Sequence, residues 1–91
     1  MITIKDIESV LALFTEEEKE NLMVVGNTVY VNFPSSVKAS EKAYWIKDVL
    51  KGNSRVDYYK WGDIQIGAYS VRSEHLDFWL SFGFELKGEI K

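Results

Sequence analysis

The sequence predicts an α+β fold, a small mixed sheet of about five strands with three main helices, in a single domain spanning residues 1–91. Three observations predict it. Two Gly-first dipeptides, Gly26-Asn27 and Gly62-Asp63, each lie between runs rich in β-branched and aromatic residues, the pattern of a tight hairpin. Apolar residues recur at helical spacing from Ile4 to Phe14 and again from Ala39 to Leu50. A last segment, Ser73 to Phe82, places Leu76, Trp79 and Leu80 at helical spacing ahead of Gly83, and predicts a closing helix followed by a strand.

Each element has its own signal. Thr3 and Asp6 are spaced as an N-cap and its reciprocal carboxylate, and open a helix whose stripe is Ile4, Ile7, Val10, Leu11 and Phe14. Thr15 and Glu18 repeat that spacing, so a second short helix begins there, with Glu16, Glu17 and Glu18 in the first turn where the helix dipole favours negative charge. Leu22 to Phe33 changes to strand period around Gly26-Asn27, placing Val29, Val31 and Phe33 on one face and Tyr30 and Asn32 on the other. Pro34, the only proline, ends that strand because it cannot donate to a ladder.

The central helix is expected over Ser35–Lys51, capped by Ser36 or Ser40, with Ala39, Ala43, Ile46 and Leu50 inward and Gly52 as its left-handed terminator. Strands at Arg55–Trp61 and Ile64–Val71 flank Gly62-Asp63, with Ile64, Ile66 and Ala68 sharing a face. In the closing helix Ser73 is the expected N-cap and Gly83 the left-handed residue beyond the end, with Phe84 folding back on Trp79.

Composition narrows the chemistry. The 91 residues are 46% hydrophobic and 14% aromatic, enough to build one core. No cysteine is present, which removes disulfides, thiolate nucleophiles and cysteine-based zinc sites and fits a reducing, cytoplasmic setting. The amino terminus has no basic stretch followed by an apolar run, and no apolar run reaches the roughly 18 residues of a membrane span. A formal charge of −3 argues against a nucleic-acid backbone as partner.

From Thr28 onward the order of elements, and above all Phe78-Trp-Leu-Ser-Phe-Gly-Phe-Glu85, resembles the carboxy-terminal part of GNAT-family N-acetyltransferases. The resemblance implies that Val29–Pro34 is the strand and loop preceding the acetyl-CoA pyrophosphate turn, and that Ser35–Lys51 is the following helix. It further implies that Ile64–Val71 is the next, parallel strand, splayed to admit the cofactor. The positions that would hold an acyl-CoA loop are Val37, Ser40 and Lys42, where the family has an arginine and two glycines. A side chain obstructs the close approach of backbone to phosphate that glycine allows, and of the three only Lys42 offers charge. Trp79 stands where the family often places a tyrosine general acid, and an indole N–H has no useful acidity. Neither a catalytic residue nor a bound cofactor is therefore expected.

Other constellations are thin. His75 is the only histidine, and on a helix neither Glu74 nor Asp77 would face it, so it reads as a surface residue. One histidine without cysteine gives no transition-metal site, and the acidic run 16–20 fans outward. Arg55-Val-Asp-Tyr-Tyr-Lys-Trp61 interleaves basic and aromatic residues as single-strand binding surfaces do, but in an acidic chain it reads as an edge strand.

The surplus of aromatics is the remaining lead. Tyr58, Tyr59 and Trp61 fall on both faces of one strand, and Tyr44 and Trp45 on the central helix, so some must be exposed, as on protein-binding surfaces. The function expected is a small non-catalytic, protein-binding accessory protein on a GNAT-like scaffold, of the kind carried by phage and mobile elements. The alternative is a diverged acyl-CoA-dependent N-acetyltransferase. A homodimer formed through an exposed hairpin edge is the third reading.

Overall fold

Both Gly-first dipeptides make the hairpins the sequence predicts. The computed structural model describes residues 2–86, apart from the side chain of Trp61. The expected continuation of the closing strand to Ile90 lies outside the described residues. Gly26 (φ 58°) and Gly62 (φ 62°) adopt the left-handed conformation at the first turn position, as a type II′ hairpin requires. The first joins β1 (Leu22–Val25) to β2 (Thr28–Asn32), and the second joins β3 (Asn53–Trp61) to β4 (Ile64–Arg72).

The helices begin as their caps dictate. In α1 (Ile4–Leu11) Thr3 and Asp6 exchange side-chain and backbone bonds of 2.9 and 3.2 Å. In α2 (Glu16–Glu20) Thr15 and Glu18 do the same at 2.9 and 3.1 Å. Because α2 is a single short turn with no buried residue, its cap matters more than its packing. Thr15→Ala is expected to cost about 1 kcal/mol, seen as a lower melting temperature; an unchanged melt would show that the cap is not holding the turn.

The long helix α3 (Ser36–Leu50) is capped by Ser35, which accepts a bond from the Lys38 amide at 3.2 Å, rather than by Ser36 or Ser40. Ser40 instead donates to the carbonyl of Val37. The left-handed terminator is Lys51 (φ 52°), not Gly52. Gly52 follows in an ordinary conformation, so close to the Arg72 carbonyl that a Cβ there would overlap it. Ala39, Ala43 and Ile46 are fully buried, and the two alanines let the helix lie close against the sheet.

The largest departure from expectation is at residues 73–85. No helix forms there. Ser73 caps a tight turn instead, its Oγ accepting from the His75 amide at 3.1 Å and its carbonyl accepting from Leu76. The chain then enters β5 (Trp79–Glu85), which runs straight through Gly83. Leu80, Phe82, Phe84 and Leu86 are buried on one side, alternating with Trp79, Ser81, Gly83 and Glu85 on the other. Phe84 therefore cannot fold back on Trp79; the two side chains point to opposite faces.

The sheet order is β1-β2-β5-β4-β3. After β2, α3 carries the chain across to the far edge, and the β3–β4–β5 meander returns it to the centre. The strand parallel to β2 is β5, whereas β4 is antiparallel to both of its neighbours, so the expected parallel strand at Ile64–Val71 is not formed. Asn27 fastens the start of β5, its carbonyl accepting from the Trp79 amide and its side-chain amide donating to the Asp77 carbonyl at 3.1 Å.

All three described helices lie on one side. Val10 and Phe14 from the α1 region and the inner residues of α3 share one apolar cluster with Val29, Val31, Val71, Leu80 and Phe82. Among the described residues, no helix is long and apolar enough to cross a membrane. Among the described residues, the opposite side of the sheet carries no helix.

Candidate functional site

Strand register fixes what the helix-free face presents. Reading across the strands in the order β1-β2-β5-β4-β3, successive rows are Val25–Thr28–Trp79, then Met23–Tyr30–Ser81–Ser70–Arg55, then Asn32–Gly83–Ala68–Asp57, then Glu85–Ile66–Tyr59. Ser81, Ser70, Gly83 and Ala68 are small and form a floor at the middle of the face. Tyr30, Tyr59 and Trp79 rise around it. A groove of about 330 Å³ runs between Met23, Val25, Thr28 and Tyr30 at one end and Tyr59 and Ile66 at the other. Met23, Val25, Tyr59 and Ile64 remain about half exposed although all are apolar or aromatic.

Tyr30 owes its position to Gly83. Its ring lies across β5 where a side chain at 83 would project. The Tyr30 hydroxyl is buried and has no hydrogen-bond partner among the described residues. Burial, and after it the neighbouring Tyr59, raises its pKa above the ordinary phenol value, so it stays neutral with a free donor beside the groove. An orphaned buried hydroxyl is costly, and a bound group that accepted its proton would remove that cost.

The other end of the face is polar and internally satisfied. Arg55 donates to Asp57 at 3.0 Å, Ser70 donates to the same carboxylate oxygen at 3.2 Å, and the Ser70 and Ser81 hydroxyls are 2.8 Å apart. The guanidinium carbons of Arg55 and Arg72 lie 4.5 and 5.6 Å from the centre of the Trp79 ring, within cation–π range. Trp79 is thus held beneath two cations, with no helix around it.

The five aromatics expected to bind a partner do not form one surface. Tyr59 is on the helix-free face and lines the groove. Trp61 pairs with Ile64 at the end of the same hairpin, but its side chain is outside the described residues. Tyr58 belongs to the helix-bearing side and is 64% exposed. Tyr44 and Trp45 are on α3, where Trp45 borders a cleft of about 600 Å³ shared with Thr15, Glu18, Pro34 and Lys42. Met23, Val25, Tyr30, Ile66 and the Arg55–Trp79–Arg72 stack were not anticipated. The side-chain parity of the two hairpins carried that signal, but it joins into one face only once β5 is known to lie between them.

The residues that would form an acyl-CoA loop are placed apart in function. Val37 is exposed on α3, and Ser40 is bonded to the backbone of the same helix. Lys42 is largely buried, paired with Glu18 at 2.8 Å, and donates to the Leu13 carbonyl. It also lies over the Phe14 and Trp45 rings at 5.4 and 4.8 Å. Its charge therefore clamps the α1–α2 segment onto α3. The α3 cleft is consequently lined by a matched ion pair, while the sheet groove is apolar with an unused donor. His75 is exposed, 4.0 Å from Glu74, and among the described residues no three His, Asp or Glu side chains converge as metal ligands would. Compared with known families, curated proteins and solved structures, the chain matches none of them.

Proposed function

We propose that the protein works by docking, with the helix-free face of its sheet receiving an apolar segment of another protein. The observation that carries this reading is the groove itself: half-exposed Met23, Val25 and Tyr59 around a floor of small residues. Soluble domains rarely leave such apolar area open, and where they do it marks a contact surface. Aromatic anchors beside a desolvated floor are the arrangement in which a few residues supply most of the binding energy. Arg72 and Lys60 at the margins favour acidic residues flanking the bound segment, by complementarity of charge.

The test is capture of partners by the tagged protein from cells of its native source, with variants on each surface. Tyr59→Asp and Val25→Asp change exposed side chains and should leave the fold intact, yet each is expected to weaken capture about tenfold or more. Tyr44→Asp on α3 should leave it unchanged. Equal capture by all three variants, or loss with Tyr44→Asp alone, would move the docking surface off the sheet.

A further inference from the structure

The outer edge of β1 points to a second partner, another copy of this chain. Four consecutive apolar residues, Leu22-Met-Val-Val25, make up the strand, and Met23, Val24 and Val25 are 47%, 44% and 54% exposed. The backbone of β1 is only half used. The carbonyl of Asn27 and the amide of Phe33 bond to β5, so the odd-numbered residues of β2 face β5 and the even-numbered ones face β1. Thr28 and Tyr30 thus bond to their register partners Val25 and Met23. By the same alternation Leu22 and Val24 direct their N–H and C=O groups to solvent, and no described residue pairs with them.

Natural edge strands are normally blunted by a charge, a proline or a bulge. The opposite edge, β3, follows that rule with Arg55, Asp57 and Lys60. β1 has no charge, proline or bulge and is limited only by its length of four residues, and its register with β2 is unbroken. The strand offers two outward backbone pairs separated by one residue, a pattern that is its own complement when a copy is turned antiparallel.

We infer that two chains pair β1 to β1 about a two-fold axis at Met23, joining two five-stranded sheets into one of ten strands. Leu22 then exchanges both backbone bonds with Val24 of the second copy, and Val24 with Leu22 of that copy. Met23 faces its own counterpart as a non-hydrogen-bonded pair. No charge on either β1 opposes another, because residues 22–25 carry none. The axis is perpendicular to the sheet, so the two helix-free faces lie on the same side and the two grooves become neighbours. A four-residue contact belongs to the small, weak class of interface, so the equilibrium depends on concentration.

Sedimentation over a series reaching about 1 mM chain tests the inference. The mass is expected to rise from 10.5 kDa toward twice that value. Val24→Pro removes an amide that β2 does not use, a position where an edge strand tolerates proline, and should weaken association at least tenfold while the circular dichroism spectrum is kept. Should that variant not fold, Met23→Cys gives an independent reading, since the chain has no other thiol. Directly opposed residues of a non-hydrogen-bonded antiparallel pair lie within disulfide reach. Mild oxidation should therefore cross-link Met23→Cys rapidly, and Val25→Cys, which lies opposite Asn21 of the second copy, only slowly. A wild-type chain that stays monomeric at the highest concentration would overturn the inference. So would association that survives Val24→Pro, or equal cross-linking at positions 23 and 25.

Discussion

Phe82→Ala is expected to be the most damaging single substitution in the described chain, lowering stability by about 3–5 kcal/mol. Phe82 is fully buried at the middle of β5, flanked by Val31 on β2 and Tyr69 on β4. Its ring meets Phe14 at 6.2 Å and Phe33 edge-on at 5.9 Å, so one side chain joins the α1 region, the end of β2 and the central strand. Truncation removes the apolar area and leaves a cavity between strand and helix layers that rigid backbone on both sides cannot close. Against a total of about 5–15 kcal/mol for a domain, the variant should unfold at a much lower urea concentration and be partly unfolded at 37 °C. A loss below about 1 kcal/mol would mean that β5 does not occupy the centre of the sheet.

Gly83→Ala should also be harmful, less so and for the opposite reason. A methyl group at 83 would overlap the hydroxyl and ring carbons of Tyr30, a rigid ring that closes one wall of the groove. Overpacking of this kind costs about 1–3 kcal/mol. The diagnostic result is a double-mutant cycle. Tyr30→Ala removes the obstruction, so adding Gly83→Ala to it should cost far less than in the wild-type background, a coupling of about 0.5–3 kcal/mol. Strictly additive losses would show that the ring does not lie over residue 83. Because the substitution also shifts Tyr30, it should weaken docking at the same face even where the variant remains folded.

The hairpins, both capping boxes and α3 were legible because each is set by local chemistry: a glycine with positive φ, a hydroxyl three residues from a carboxylate, alanines at helical spacing. The closing segment was not. Leu76, Trp79 and Leu80 satisfy a helical period, and Gly83 looks like a terminator, but Leu80, Phe82, Phe84 and Leu86 also alternate strictly with Ser81, Gly83 and Glu85. Both periods fit the same short stretch, and the choice is made by tertiary structure. β5 has a strand on each side, and there Leu80, Phe82 and Phe84 join the one apolar cluster that also holds Val10, Phe14 and the inner residues of α3. Gly67 contributes to that choice, since Phe84 fills the space beside it where a Cβ would stand.

A helix at 73–82 would remove the first half of β5 and with it the candidate site. Without that strand, Met23 and Tyr30 on one hairpin and Tyr59 and Ile66 on the other belong to unconnected strands. With it in place, Ser81 and Gly83 supply the floor between them. Tyr58 and Tyr59 show the same dependence on register: they are adjacent in sequence, similarly exposed, and on opposite sides of the sheet.

That adjacency provides the sharpest test of the docking face. A photo-activated phenylalanine analogue placed at position 59, and separately at position 58, would be illuminated in cells of the native source and the covalent products compared. A discrete protein adduct from position 59, absent from position 58, is the predicted result. An adduct from position 58 with none from position 59 would contradict the account, placing the partner on the helix-bearing side of the sheet.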